Sequence, residues 1–311
     1  MILLVTNKRD LTTDFVVAEL RQRGLAFARL NTEDIAEGDV ELAIGGGWNL
    51  NVEGERVELD KVTAAYFRRP EAPRPRPGVA AAEHARYCVD EWSAVMRSLW
   101  NLLEGRWLNS PFAILRAEDK PRQLTVARDV GLPVPDTVVT NRLDAVRGVR
   151  GPLIAKPLRH ALVEDGGTGK VIFTNRIKDL DDLDEVALGV APAIFQSHVE
   201  KVADVRATVV GDRVFAVSID SQSSGETRTD WRRGSNPDLT HQVLRLPQKV
   251  EAGCVEVVRR LGLNFAAIDL VHGLDGLFWF LEANPNGQWA WIQKRTGLNI
   301  AGAIVDALVA R

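Results

Sequence analysis

Residues 264–291, NFAAIDLVHGLDGLFWFLEANPNGQWAW, constrain this chain most. Two apolar runs flank Gly273-Leu274-Asp275-Gly276, so the pattern predicts an antiparallel hairpin of strands 264–271 and 277–284. Alternation then places Phe280, Glu282 and Asn284 on one face. A turn centred on Leu274-Asp275 sets Asp269 opposite Phe280 and diagonal to Glu282. Two carboxylates and a carboxamide at this spacing repel or lack partners unless a cation lies among them. Their hard oxygens suit Mg²⁺, which often bridges to phosphates. A hairpin with its polar face in water would use the same residues. The Pro285-Asn286-Gly287 turn, which ends the strand beside these oxygens, argues for a built site.

At 311 residues the chain has room for two or three domains. A net charge of −3 gives no global attraction to nucleic acid or to an anionic membrane, so neither partner is expected. Cys88 and Cys254 lie far apart and in no metal-ligand spacing, which predicts a reducing, cytoplasmic setting without disulfides. No apolar run approaches the ~20 residues of a membrane span. The opening MILLVTN meets Lys8-Arg9-Asp10 at once and reads as a first strand, not a signal sequence.

Periodicity predicts an α/β (α+β) chain. A strand at 2–6, a helix at 13–23 capped by Thr12 or Thr13, and a strand at 26–30 make a parallel β-α-β unit. One or two hairpins follow at 40–59, then a strand at 64–67 ended by Arg68-Arg69-Pro70. A proline-rich connector at 71–78 leads to a long helix at 81–103. Next come a helix at 118–130, strands at 134–140, 153–157 and 171–174, and an acidic helix from 179 to 186. Strands at 204–210 and 213–219, a polar loop at 220–238, a helix at 249–261, the hairpin and a closing helix at 300–310 complete the chain. The division read from this order is 1–112, 113–194 and 195–311.

Several residues suit phosphate. Lys156 ends an apolar strand, where a buried stem wants an anion for its head, although a strand lysine can also reach solvent. Gly166-Gly167-Thr168-Gly169 can turn several N–H groups toward one anion, or be a plain hairpin turn. It is no Walker A loop: Glu164 and Val171 stand where Gly and Ser or Thr are required. Lys120 offers a second cation. No H-E-x-x-H, G-x-S-x-G or G-x-G-x-x-G pattern occurs.

The order lysine, lysine, glycine loop, carboxylate-x-asparagine resembles the ATP-grasp superfamily. It is carried by AKPL (155–158), DGGTGK (165–170), FQSHVEKVADVRATVVGDRVFA (195–216), IDL (268–270) and LEANPNGQW (281–289). The resemblance implies an N-terminal α/β domain, a central lid and a C-terminal domain that clamp ATP. It also implies activation of a carboxylate as an acyl phosphate. Lys120 and Lys156 would contact phosphates, with Gly166, Gly167 and Gly169 in the loop above them. Gln196, Ser197, His198 and Val199 would form an adenine-holding hinge, and Glu200 or Asp204 would approach the ribose. Asp269, Glu282 and Asn284 would hold Mg²⁺. Arg206 would stabilise the acyl phosphate and tetrahedral intermediate, since a fixed cation serves charge that develops in a closed site; alternatively it is a partner of Asp204.

Within the superfamily, YFRRP (66–70), WLNSP (107–111), GLPVPDTVVTN (131–141), SQSSGETRTDWRR (221–233) and NPNGQW are similar to graspetide maturases, the microviridin-type ligases. These join Asp or Glu side chains of a ribosomal precursor peptide to Ser, Thr or Lys as esters or amides. The resemblance adds Arg232 or Arg228 as a grip on an acidic core peptide, a leader-binding surface at 179–185 and a homodimer. Two rival readings are a ligase adding a free amino acid to a protein or peptide carboxylate, as ribosomal-protein glutamate ligases do, and an ATP-binding scaffold without turnover.

Overall fold

The computed structural model describes residues 1–311 apart from 53, 77, 79–81, 160, 161, 166, 167, 172, 173, 182, 224–228, 230 and 232–238. The fully buried β1 (Ile2–Thr6) pairs in parallel with β2 (Phe27–Asn31) across α1 (Leu11–Gln22). The cap of α1 is Asp10, not Thr12 or Thr13: its carboxylate accepts the Thr12 N–H at 3.3 Å and the Thr13 hydroxyl at 2.5 Å. A meander of β3 (Asp39–Leu42), β4 (Trp48–Val52) and β5 (Glu55–Glu58) precedes β6 (Ala64–Phe67), which pairs with the other edge of β1. Met96, Leu99 and Trp100 of α2 (Ala85–Leu102) pack on this sheet with Leu3, Val5 and Trp107.

The helix expected at 118–130 is α4 (Lys120–Asp129), and a short helix that was not expected, α3 (Pro111–Ala117), precedes it. Asp119 divides them, accepting the Arg122 N–H at 3.1 Å, with Pro121 in the first turn behind it. Then come β7 (Thr137–Thr140), α5 (Leu143–Arg147), β8 (Leu153–Lys156), β9 (Leu162–Asp165), β10 (Thr168–Val171), β11 (Asn175–Ile177), α6 (Glu185–Val190) and β12 (Ala193–Ser197). Four of these strands form an antiparallel sheet in the order β11-β8-β12-β7, while β9 and β10 make a separate hairpin. The helix expected from 179 starts only at Glu185, because the Asp184 carboxylate caps the N–H groups of Val186 and Ala187. A boundary after residue 194 would fall inside β12; the chain leaves this sheet after Ser197.

The last part contains β13 (Lys201–Val210), β14 (Arg213–Ile219), β15 (His241–Leu244), α7 (Gln248–Arg260), β16 (Phe265–Gly273), β17 (Phe278–Asn284), α8 (Ala290–Thr296) and α9 (Ile300–Val309). Its antiparallel sheet runs β15-β14-β13-β16-β17. One face, with Val205, Ala207, Ile268, Leu270, Phe280 and Ala283, shares a core with Ile114, Leu124 and Val257 of α3, α4 and α7. The other face is apolar where Val217 and Ile219 share a core with Trp289 and Ile300. Elsewhere it carries the buried polar residues Asp204, Arg206, Thr208 and Asp269.

The hairpin exists, but its register differs from the sequence reading. The loop is the three residues Leu274-Asp275-Gly276, closed by the Gly273 N–H donating to Leu277 O at 2.9 Å, with Gly276 at φ 77°. Leu270 therefore pairs with Phe280, not Asp269. A bulge at Leu281 then sets Asp269 directly opposite Glu282. Phe280 and Ala283 face the core, whereas Glu282 and Asn284 face away from it, so Phe280 does not share their face. Burial of the Phe280 ring contributes roughly 2–3 kcal/mol and fixes that choice of face.

Candidate active site

A cleft opens between the four-stranded and five-stranded sheets. Ile154 and Lys156 reach it from β8, Gln196 from β12, Asp204 from β13, Asp269 and Leu270 from β16, and Leu281 and Glu282 from β17. Thr174, Thr229 and Trp231 complete the lining. Five of the expected site residues, Lys156, Gln196, Asp204, Asp269 and Glu282, thus meet in one place.

Charge in the cleft is organised as pairs. Arg206 and Asp269 are cross-strand neighbours, with Nε 2.9 Å from Oδ1 and both side chains about nine-tenths buried. The Nε–H is not aligned on that oxygen, so the contact is a charge pair more than a hydrogen bond. Asp204 belongs instead to Lys201, whose Nζ donates to it at 2.7 Å, so the alternative pairing of Arg206 with Asp204 is not the one formed. Breaking either buried pair one-sidedly costs about 3–5 kcal/mol. Glu282 faces Lys120 at 3.3 Å, and the same Nζ donates to the Pro157 carbonyl at 3.3 Å. One lysine at the first turn of α4 therefore ties the end of β8 to β17. Arg206 also lies over the Trp231 ring, 5.6 Å from its centroid.

At the hinge, the Ser197 N–H donates to Asp136 O at 2.8 Å and the His198 N–H to Pro152 O at 2.7 Å. These two amides are engaged within the protein, which removes them as donors to a base. The Gln196 Nε2 donates to Thr137 Oγ1 at 2.8 Å, while its Oε1 is buried without a hydrogen-bond partner among the described residues. Ser197, His198, Val199 and Glu200 do not line the cleft; the Glu200 carbonyl accepts the Leu274 N–H at 3.0 Å. Gly169 sits in β10 opposite Glu164. Gly166, Gly167, Arg228 and Arg232 lie outside the described residues.

The model of the RimK-like ATP-grasp domain matches residues 119–308, more than half of the chain. The chain belongs to this family. It is 30% identical over 213 residues to the probable alpha-L-glutamate ligase of Stutzerimonas stutzeri (strain A1501), covering 65% of this chain and 66% of that protein. It is 27% identical over 202 residues to that of Vibrio atlanticus (strain LGP32), covering 64% and 65%. The chain thus spans just under two thirds of the length of these curated relatives. Solved structures align over nearly everything. A Chryseobacterium gregarium RiPP-associated ATP-grasp ligase, in complex with ADP and a leader and core peptide, has a TM-score of 0.90 at 26% identity, covering 99% of this chain and 96% of that one. Macrocyclase MdnC from Microcystis aeruginosa MRC, bound with precursor peptide MdnA, has a TM-score of 0.85 at 28% identity, covering 100% and 99%. The ATP-grasp ligase PsnB, complexed with minimal precursor, Mg and ADP, has a TM-score of 0.76 at 26% identity, covering 99% and 97%.

For an ATP-grasp chain, the donor set fits a divalent metal. Among the described residues no cluster of three or more His, Cys, Asp or Glu side chains gathers for one. The cleft offers two carboxylates, Asp269 and Glu282; the Asn284 amide stands two residues on from Glu282 on the same face of β17, outside the cleft lining, and its Oδ1 accepts the Asn286 N–H at 3.0 Å. Three oxygens of this kind suit Mg²⁺, which takes the rest of its octahedron from phosphate and water.

Sequence reasoning missed two supports of this ATP-grasp site. Gln123 of α4 is buried; its Nε2 donates to Ala117 O at 2.6 Å and Ala283 O at 2.7 Å, and its Oε1 accepts the Ala283 N–H at 2.9 Å. It supplies the missing neighbour of the edge strand β17, exactly one residue from both Glu282 and Asn284. Arg68 is wholly buried, with Nε 3.1 Å from Asp10 Oδ2, and its Nη1 donates to Asn286 O at 3.2 Å and Gly287 O at 3.0 Å. Gln123 carries no sequence signal beyond being a polar residue in an apolar setting, and Arg68 stood out only as part of YFRRP, with no role attached. Both cysteines are free, and no helix of the described residues is long and apolar enough to cross a membrane.

Proposed function

We propose that the chain is an ADP-forming carboxylate ligase that cross-links side chains of a ribosomal precursor peptide by ester or amide bonds. The observation that carries this reading is the likeness over almost the whole of both chains to ligases solved with leader, core or precursor peptides, at 26–28% identity. The glutamate ligases match over a shorter span. They support the second reading, addition of an amino acid to a protein or peptide carboxylate.

ATP enters the cleft with its base between the apolar side chains of Ile154 and Leu281 and its ribose toward Asp204. Lys156 and Lys120 offset the charge of the phosphates, and the glycine loop 166–169 covers them. Asp269, Glu282 and Asn284 would hold Mg²⁺, which would withdraw charge from the phosphate oxygens. A carboxylate oxygen of a substrate Asp or Glu attacks the γ-phosphorus, the bond to the bridging oxygen breaks, and ADP leaves. A Ser or Thr hydroxyl, or a Lys amine, then attacks the acyl carbon. Phosphate departs with the bonding pair, and the nucleophile's proton passes to solvent. Arg206, held in place by Asp269, stabilises the oxyanion and the departing phosphate. Arg232 or Arg228 grips the acidic core, the segment 179–185 contacts the leader, and the enzyme works as a cytoplasmic homodimer. The division 1–112, 113–194 and 195–311 stays a proposal, with its last boundary moved to the end of β12, after Ser197.

The test is mass. The protein is incubated with ATP, Mg²⁺ and the acidic, Ser/Thr/Lys-containing peptides encoded beside it. Each cross-link removes one water from the peptide, whereas amino-acid addition makes it heavier. Peptides unchanged in mass throughout, the cognate one included, would defeat both readings. Arg206→Lys should abolish most cross-linking while ADP affinity stays within about three-fold, because catalysis needs the fixed fork and nucleotide binding does not.

A further inference from the structure

Arg206 is held from two sides by groups of different kinds. Asp269 lies 2.9 Å from its Nε, but that N–H is not aligned on the carboxylate, so the pair attracts the guanidinium without fixing its plane. On the other side is the Trp231 ring, with the guanidinium carbon over it, 5.6 Å from the centroid. The arginine side chain is about nine-tenths buried, and a cation over a ring face is attracted most where water is excluded. A ring face also differs from a carboxylate in what it consumes. It holds the charge without taking up the paired N–H donors, which stay available for a substrate oxygen.

Trp231 comes from the connection between β14 and β15, and distant parts of the chain set its place. At the base of that connection the Asp220 N–H donates to Thr240 O at 3.1 Å. The Trp231 ring packs on the Trp291 ring of α8, with centroids 5.7 Å apart and planes inclined at 44°. Trp291 in turn meets the ring of His241, the first residue of β15, edge to face at 4.9 Å. Arg295, one turn further along α8, lies 3.4 Å from His241 Nδ1. The helix thus touches the connection both at Trp231 and at its return into the sheet. It is anchored there by the fully buried Trp289 and Ile292, in the same core on which Trp231 and Trp291 pack. A line of rings therefore runs from α8 to the guanidinium that faces Asp269.

We propose that Trp231 is a positioning residue for Arg206, and that Trp291 holds Trp231 in that role. The effect on chemistry passes through Arg206, whose donors must point at charge that develops only in the transition state. An orienting contact of this kind raises kcat and leaves ground-state binding nearly alone. The kinetic consequence rests on the peptide-ligase reading; the placing of the guanidinium by the ring does not.

Trp231→Leu keeps an apolar side chain on the core and removes the ring, whereas Trp231→Phe keeps a ring face. The first readout needs no peptide. With ADP and Mg²⁺ bound, the Nε–H resonance of Arg206 is followed in protein carrying nitrogen-labelled arginine and is assigned by its loss in Arg206→Lys. A proton over a ring face is shifted upfield. Trp231→Leu should move that resonance downfield and speed its exchange with water. Trp231→Phe should keep much of the native shift, and Trp291→Leu should move it in the same direction as Trp231→Leu, by less. The second readout is turnover of the cognate peptide. Trp231→Leu should lower kcat about three- to thirty-fold with KM for peptide and ATP within about two-fold, and Trp231→Phe should recover most of the loss. A resonance or a kcat unchanged in Trp231→Leu, a loss confined to KM, or a phenylalanine variant no better than the leucine one would overturn the proposal. An unmoved resonance in Trp291→Leu would overturn the part given to Trp291. If the native protein changes the mass of no peptide and the resonance still moves as stated, the peptide-ligase reading falls and the placing of Arg206 by Trp231 stands.

Discussion

Asp269 on β16 and Glu282 on β17 are direct cross-strand partners only because Leu281 is an extra residue in β17. Without that bulge Glu282 would continue the alternation from Phe280 and turn into the core. The two carboxylates differ in their cations: Asp269 holds the buried Arg206, and Glu282 the more accessible Lys120. That difference separates metal binding from stability.

Glu282→Gln should leave the fold nearly intact, losing about 1 kcal/mol or less, because its partner lies in contact with solvent. Asp269→Ala should cost about 3–5 kcal/mol, since it strands the buried Arg206 charge. Both should weaken Mg²⁺-dependent ADP binding by at least about ten-fold. Thermal unfolding and titration calorimetry of the two variants check this. Equal losses of Tm would contradict the contrast.

Gln123→Ala should destabilise by about 2–4 kcal/mol, because three backbone groups, two of them on Ala283, lose their partner in a buried setting. The released edge strand should also loosen Glu282 and Asn284, so Mg²⁺-dependent ADP affinity falls. Hydrogen exchange at the Ala283 amide gives the local readout: faster exchange is expected, and unchanged protection would count against the clamp.

Burial, then the nearby charges of Arg176 and Lys201, hold the His198 imidazole below its ordinary pKa. The unfolded chain takes up this proton first as pH falls, so the associated stability is complete above about pH 6.5 and is lost below it. Tm should therefore decline from pH 7.5 to pH 5. His198→Asn should flatten part of that decline. The remainder belongs in part to His241, which burial shifts the same way. An identical pH profile in the variant would refute the assignment.

Cys254 is wholly buried on α7, and burial pushes its thiol pKa up to about 12. Cys88 on α2 is half-buried. Iodoacetamide at pH 8 should therefore label one thiol in the native protein and two after denaturation, with Cys88 the native site by peptide mapping. Native labelling of Cys254 would show that its core opens readily.

Much of the fold could be read directly. The apolar runs at Ile2–Thr6 and Phe278–Asn284 and the helical stripe of α2 are periodic, and periodicity survives into the structure. Capping was less legible. Asp10 and Asp184 decide where α1 and α6 begin, but each competes with nearby residues able to do the same. Of the site, Lys156, Asp269 and Glu282 were read from their chemistry and Asp204 from the ATP-grasp resemblance, and all four line one cleft. The roles of Gln123 and Arg68 were not legible, because they depend on strands far away in the chain.

The sequence by itself determined which groups are available: two carboxylates and an amide on a terminal hairpin, with Lys120 and Lys156 earlier in the chain. Those are properties of side chains, and no packing alters them. The tertiary structure alone decided which face each residue takes and which cation each carboxylate holds. Face in a strand depends on parity, and one residue in a turn or a bulge reverses it. Here the turn length and the burial of Phe280 settled that parity, and both are consequences of packing across the whole sheet.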